Sequence, residues 1–392
     1  MVGAGPSGLS AAYALARAGF EVEVFERSHT VGHRFHGDFQ GLENWSWEQD
    51  VVEELESLGL PASCLYLTPV MGSVFIGPDG SRAEAVCQDR PFYYLVRRGP
   101  MEESLDRRLL ALAQQAGVTV HFGEAIREIP FLPAIVATGP RKPNALAMGY
   151  VFKTDDRLRS FGVMDDRLAP GGYAYLLTYG GSGTLATVLA RDHERGRDYL
   201  RRTVDFFRAQ VDFPMEDEQF FGGVGNISPP KTAMRGRRLF VGEAAGFQDA
   251  LWGFGLRFAM LSGLLAARAL IRGEDYDRLW RDRLTHPLMV GVANRFLWDV
   301  MGRRAYRLVI QRLRQVPDPV RLLRQEMRFT LLRRLALLAA PFYYRGRVRV
   351  LRQECDLDTC TNLFCSMGVD PDRAKCMACA DCCGLDRQSA HA

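Results

Sequence analysis

The chain opens Met1-Val2-Gly3-Ala4-Gly5-Pro6-Ser7-Gly8. Leu9, Ala12, Leu15 and Ala16 follow at helical spacing, then Gly19, then the apolar strand Val22-Glu23-Val24-Phe25 ending at Glu26. A G-x-G-x-x-G turn between a strand and a helix, with an acid at the end of the next strand, is the dinucleotide-binding fingerprint. Gly3 allows the tight turn, Gly5 lets the backbone approach a pyrophosphate, and Gly8 lets helix and strand pack closely. Pro6 and Ser7 open the helix, whose first N–H groups attract phosphate. Glu26 stands where it can accept from a ribose hydroxyl. Only Met1 and Val2 precede Gly3, whereas an ordinary strand supplies about five residues, so either a short central strand suffices or the central strand is weakened by a late start.

Composition sets the outer limits. The chain has 392 residues, 47% apolar and 24% charged, which suits a globular protein of two or three lobes. Its 50 basic and 46 acidic residues leave a formal charge of +4, too little to imply a nucleic-acid partner from charge alone. There is no uncharged apolar run of about 18 residues and no basic leader with an apolar core. The expected location is therefore cytoplasmic, free or peripheral at a membrane surface. No G-x-S-x-G, H-E-x-x-H or Walker motif occurs, which removes the common hydrolase and NTPase readings.

A second glycine-bearing segment separates the possible dinucleotides. Arg238-Leu239-Phe240-Val241-Gly242-Glu243-Ala244-Ala245-Gly246 reads as a strand and turn, and Leu251-Trp252-Gly253-Phe254-Gly255-Leu256-Arg257 opens a long helix. This resembles the second FAD motif of the flavoprotein family that contains aromatic hydroxylases and geranylgeranyl reductases. The resemblance spans roughly residues 1–275 and implies FAD as cofactor. It places Glu243 on the ribityl hydroxyls, with Gly242 in the turn before it. The backbone N–H groups of Gly253, Phe254, Gly255 and Leu256 would face the flavin pyrimidine and stabilise its reduced anion. The family carries Asp where this chain has Glu243.

Other residues are placed by the same resemblance. Glu26-Arg27 followed by Val31-Gly32, with Ser262-Gly263 and Ala266-Ala267 in the long helix, fits the reductase branch. The loop cysteine of isoprenoid reductases falls at Gly37, so either a neighbour such as His36 supplies the proton or the chemistry differs. Arg98 is favoured over Arg97 as the arginine that contacts the flavin. Thr138-Gly139 stands where the hydroxylases carry Asp-Gly. From about Tyr150 to Asn226 alternating apolar strands, including Tyr173–Tyr179 and Thr184–Leu189, read as an inserted antiparallel sheet with a helix near Tyr199–Gln210. Tyr173, Tyr175 and Trp252 are candidate walls of a substrate pocket. No second G-x-G-x-x-G occurs in a strand-turn-helix context, which leaves the electron donor open between NAD(P)H and a ferredoxin-like protein.

Beyond the long helix the character changes. Residues 301–352 hold fourteen arginines against Asp318 and Glu326. Leu322, Leu323, Met327, Leu331, Leu332 and Leu335 recur at helical spacing. Such basic amphipathic helices either lie on an anionic membrane surface or cap the protein with arginines turned to acids and water. Of nine cysteines, seven follow: Cys355, Cys360, Cys365, Cys376, Cys379, Cys382 and Cys383. C-x-x-C-x-x-C spacing gathers thiolates for a structural zinc or for an iron–sulfur cluster.

The expected fold is α/β: a Rossmann-like FAD-binding domain (1–149 and 229–275) interleaved with an antiparallel substrate sheet (150–228), then a basic helical region (276–352) and a cysteine-rich metal-binding tail (353–392). The expected function is an FAD-dependent oxidoreductase reducing a C=C bond of an isoprenoid or other lipid-like substrate. Two alternatives stand beside it, a flavin monooxygenase acting on an apolar or aromatic substrate and a non-catalytic or partner-bound electron-transfer flavoprotein.

Overall fold

The computed structural model describes residues 1–126, 133–140, 144–226, 229–316 and 318–344. Its first layer is a mostly parallel sheet. Strand Thr119–Phe122 pairs with Glu23–Glu26, and Ala134–Val136 pairs with Arg238–Phe240, which also carries Met234–Arg235 antiparallel. The two halves meet only at Val2, which bridges Phe25 on one side and Val136 on the other. Short as it is, this central segment is fully stitched. Val2 N–H donates to Ile135 O (3.0 Å), Gly3 N–H to Phe25 O (2.8 Å), and Ala137 N–H to Val2 O (2.7 Å).

Helix Pro6–Arg17 leaves this strand and packs against both Leu105–Gln115 and Leu256–Arg272. Glycine is obligatory at two points here. Gly3 has φ +99°, and a Cβ on it would stand 2.4 Å from Ala137 O. A Cβ on Gly263 would stand 2.2 Å from Ser7 O, so the two long helices cross backbone to backbone.

The second layer is a seven-stranded sheet in the order Glu216–Gly225, Ala145–Lys153, Ser182–Leu189, Tyr173–Tyr179, Arg159–Val163, Gly72–Ile76, Arg82–Val86. Side chains alternate across a strand. Ala174 and Leu176 turn to one face and share a core with Leu146, Met148 and Leu185. Helix Gly196–Gln210 covers that face with Tyr199, Leu200, Val204 and Phe207. Tyr173, Tyr175 and Leu177 turn to the other face, toward a cavity.

This sheet is larger than its expected 150–228 segment. It begins at Ala145 and gains a hairpin from the first segment, Gly72–Ile76 with Arg82–Val86. The hairpin closes on the Pro78-Asp79-Gly80 turn, where Gly80 has φ +77° and Ser81 N–H donates to Asp79 Oδ1. Arg159–Val163 then takes Gly72–Ile76 as a parallel neighbour, a pairing across more than 80 residues that no local pattern announces. A small sheet of Phe39–Glu43, Tyr93–Arg97 and Thr68–Val70 completes the wall.

Four helices follow: Tyr276–Met301, Arg303–Gln315, Pro319–Glu326 and Leu331–Tyr344. Arg303–Gln315 buries Ala305, Tyr306, Ile310 and Leu313 against Ala83, Ala85 and Met164. The cysteines from Cys355 to Cys383 lie outside the described residues.

A buried charge cluster locks the start of helix Leu256–Arg272. Arg257 is fully enclosed, donates to Glu54 Oε2 from Nε (2.8 Å) and to Gln49 O (2.9 Å), and stacks over Trp47 at 4.6 Å. Arg283 reaches the other Glu54 oxygen. Removing the carboxylate leaves a buried guanidinium without its counter-charge. Glu54→Ala is expected to lose about 3–5 kcal/mol of unfolding free energy, read from the shift in denaturant midpoint.

Candidate cofactor and substrate cavity

Between the two layers lies a cavity of about 360 Å³. At one end its wall is Gly5, Pro6, Ser7, Glu243 and the backbone of Gly253, Phe254, Gly255 and Leu256. Two helix N-termini point into this end. Helix Pro6–Arg17 starts at Gly5 and helix Leu256–Arg272 at Gly255, and neither has a side-chain cap. Their first N–H groups and positive dipole ends are thus left for an anion or for acceptor atoms of a ligand.

The glycines show which positions serve the protein and which leave room for a guest. A Cβ on Gly8 would strike Gly3 O at 2.2 Å, so that glycine serves helix packing. Gly5 has φ −80°, a conformation any residue adopts, and a Cβ on it would meet nothing within 4 Å. Gly223, on the sheet side of the same cavity, is equally open. Gln248 adds a polar sign. Its Nε2 donates to Gly253 O (2.7 Å), while its Oε1 is buried on the cavity wall with no partner among the described residues. A dinucleotide carrying phosphates and a ring with N–H donors fits these features, as does Glu26 at the end of its strand, where Oε2 accepts from Ala4 N–H and Oε1 from Ser28 N–H.

The charged residues of this end are mutually paired. Arg34, which the sequence motifs do not single out, stands 3.6 Å from Glu243. Burial raises the Glu243 carboxyl above the usual range, with Arg34 opposing. Arg98 reaches the wall whereas Arg97 turns away to Ser182. The Arg98 guanidinium is already held by Asp106 through two 2.9 Å hydrogen bonds and by Gln40 Oε1 (2.9 Å), and it lies 4.1 Å from the Phe35 ring. Asp38, beside it, is buried, and its carboxyl is pushed up to about 6.

Several expected positions fall elsewhere. His36 is not on the cavity wall: its Nδ1 meets Gln219 Nε2 at 3.0 Å, because its backbone is turned by the hydrogen bond to Asp38 Oδ1. Burial, with His33 beside it, holds its pKa below the ordinary value, so it carries little charge at neutral pH. Gly37 has φ +94° and its Cβ position is 3.2 Å from Met101, so a cysteine there would be strained. Thr138 is exposed and Arg27 lies off the wall, while Gly139 lines it. Gly3 and Gly242 act through packing, the latter with φ +57° and its Cβ position 2.7 Å from Ser7 Oγ.

The other end of the cavity is apolar. Phe75, Phe92 and Phe161 line it from the sheets, and Val309, Leu313 and Leu323 close it from the basic helices. Tyr173, Tyr175 and Trp252 stand between the two ends. Tyr173 OH donates to Trp252 O (2.7 Å), and the Trp252 ring meets Trp298 edge-on at 5.1 Å. Neighbouring Asp249 caps Trp252 N–H, and burial pushes its carboxyl up to about 6. No group of His, Cys, Asp and Glu among the described residues is arranged to hold a metal.

Comparison with known proteins agrees with this geometry. Residues 1–41 match the family of NAD(P)-binding Rossmann-like domains. A crystal structure of a geranylgeranyl bacteriochlorophyll reductase-like protein from Thermoplasma acidophilum superposes with a TM-score of 0.65 at 16% identity, over 88% of this chain and 97% of that one. The two chains share one fold. A flavin-dependent brominase has it too, with a TM-score of 0.60 at 15% identity over 88% of this chain and 98% of its own. In sequence, the digeranylgeranylglycerophospholipid reductase of Methanocaldococcus jannaschii is 22% identical over 354 residues, covering 77% of this chain and 86% of that protein.

The open space at Gly5 gives a direct test. A Cβ at Gly5 meets no protein atom within 4 Å, so Gly5→Ala should fold with native circular dichroism. Its affinity for FAD should fall at least about tenfold, or roughly 1.4 kcal/mol, as measured by quenching of flavin fluorescence.

Proposed function

We propose that this chain is an FAD-dependent oxidoreductase that reduces C=C bonds of an isoprenoid or other lipid-like substrate. The observation that carries the reading is one cavity with two characters, a pair of uncapped helix N-termini at one end and an apolar aromatic chamber at the other. Reductase-named relatives that align along most of the chain support it. FAD bound here supplies the hydride, and a nicotinamide nucleotide or a ferredoxin-like protein supplies the electrons.

The protein's part is holding, orienting and excluding water. Gly5, Ser7 and Gly8 offer the helix end to the phosphates, Glu26 faces the ribose, and Glu243 with Arg34 faces the ribityl side. The N–H groups at Gly253, Phe254, Gly255 and Leu256 offset negative charge on the ring. Tyr173 and Trp252, tied by their hydrogen bond, set the passage to the chamber, where aromatic rings keep an apolar chain dry. The second carbon of the bond takes its proton from solvent or from an acid of the pocket.

A monooxygenase is the second reading, favoured by the brominase that shares the fold. Under argon, protein whose flavin has been reduced should be reoxidised by an unsaturated isoprenoid lipid, with one saturated bond formed per flavin. Reoxidation that requires oxygen, with oxygen incorporated into the substrate, would establish the monooxygenase instead.

A peripheral membrane contact belongs to the same proposal. Along helix Leu331–Tyr344 the residues Leu331, Leu335, Leu338 and Phe342 recur on one stripe and are 75%, 54%, 71% and 79% exposed. The opposite side, with Arg333, Ala336 and Ala340, is buried. Arg303, Arg304, Arg321, Arg328 and Arg334 are exposed and make no ion pair among the described residues. An apolar stripe amid unneutralised arginines suits an anionic lipid surface. No helix among the described residues is long and apolar enough to cross a membrane. Co-sedimentation with vesicles containing about one-third anionic lipid should show binding that weakens several-fold in Leu335→Asp/Leu338→Asp and in high salt.

The cysteines Cys355, Cys360, Cys365, Cys376, Cys379, Cys382 and Cys383 carry a metal proposal on spacing alone. Purified protein is expected to contain zinc, or iron with matching sulfide, in an amount lost when Cys376 and Cys379 are both replaced by Ser. Metal-free native protein would end this part of the reading.

A further inference from the structure

Three hydroxyl groups meet in the wall of the apolar chamber. Ser160 Oγ is 2.6 Å from Ser73 Oγ and 2.8 Å from Tyr93 OH. The three residues are 9%, 6% and 5% exposed, and all line the cavity. None of the hydroxyls has a partner outside the trio among the described residues. They come from three separate strands, Gly72–Ile76, Tyr93–Arg97 and Arg159–Val163, where the small sheet abuts the seven-stranded one.

The hydrogen count makes the trio incomplete. Three hydroxyls bring three donor hydrogens, and two hydrogen bonds consume two of them. Whichever way these two bonds point, the third O–H has inside the trio only the contact between Tyr93 and Ser73, weaker than the other two, and lone pairs stay unused. Buried polar groups are ordinarily satisfied, and one left without an acceptor in an apolar setting costs stability. The surroundings cannot supply the acceptor: Phe75, Phe92 and Phe161 flank the trio on the cavity wall. Burial raises the Tyr93 hydroxyl well above its ordinary pKa, so it stays protonated and keeps its hydrogen to give.

Charge narrows the ligand further. The acidic and basic residues of the cavity wall are Arg34, Arg98 and Glu243, which are clustered with one another and make no hydrogen bond to the trio. A phosphate or carboxylate at the trio would have no counter-charge. A neutral oxygen needs none.

From this the geometry points to Ser73, Tyr93 and Ser160 as a specificity site for a neutral oxygen, a hydroxyl, ether or carbonyl, carried by the apolar substrate. The inference rests on the chamber being the substrate site of the proposed function. It adds that the substrate is an oxygenated lipid, held at that oxygen by a hydroxyl donor of the chamber wall. If that oxygen is a carbonyl conjugated with the C=C bond, the same donor also draws electron density from the bond and favours hydride addition.

The test uses full-length protein reconstituted with FAD and three probes of equal chain length: farnesol, farnesal and the hydrocarbon farnesene. Binding is followed through the intrinsic fluorescence of tryptophan, since Trp45 and Trp252 both line the cavity. Ser160→Ala and, separately, Tyr93→Phe should weaken farnesol or farnesal about fivefold, the loss of one ordinary hydrogen bond, and leave farnesene unchanged. The alcohol and aldehyde arms tell a hydroxyl from a carbonyl ligand. Equal effects on all three probes, or none on any, would make the trio a structural stitch and overturn the inference while the apolar site stands. Failure of all three to bind native protein would overturn the substrate-site reading along with it.

Discussion

Everything at the functional end of this protein depends on how closely two helices cross. Helix Leu256–Arg272 passes over the first turn of helix Pro6–Arg17 with Gly263 against the backbone of Ser7, and Gly242 packs on the same serine. Any side chain at Gly263 would put a Cβ 2.2 Å from Ser7 O and push the helices apart. Held this close, their N-termini open onto the same space, and neither is capped by its own residues. A single helix end makes a modest anion site. Two such ends on one cavity define an elongated site, suited to a cofactor with phosphates at one part and a reducible ring at another.

The remaining architecture serves to wall that space. Period-two alternation divides strand Tyr173–Tyr179 between a core under helix Gly196–Gln210 and the cavity face. The basic helices, which the sequence leaves between a membrane surface and a cap on the protein, close the chamber with Leu313 and Leu323. Their arginines divide in the same way: Arg312 and Arg333 share Glu326, and Arg307 faces Asp79, while others remain in solvent.

Legibility in the sequence followed locality. The glycine turn at Gly3, Gly5 and Gly8 and the second turn at Gly242 could be read directly, because close packing admits no side chain at Gly3, Gly8 and Gly242, while Gly5 leaves its space open. Arg98 was legible as a wall residue from its place before a helix, though its bonds to Asp106 and Gln40 were not. Arg34 and Gln248 lie one turn from readable motifs yet carry no pattern of their own. The trio of Ser73, Tyr93 and Ser160 joins residues as much as 87 positions apart through strand pairings set by tertiary packing. His36, by contrast, neighbours a readable loop in the sequence, while its ring turns to Gln219 and lies off the cavity wall.

The central claim is that this cavity is built for a flavin dinucleotide. Its most direct test is equilibrium dialysis of the apoprotein against equimolar FAD and NADP, with the retained nucleotide identified by absorption and chromatography. Retention of one FAD per chain, with NADP left in the dialysate, is the predicted result. Retention of NADP with FAD excluded would contradict the account, since the second helix end and the chamber beyond it would then have been assigned to the wrong cofactor.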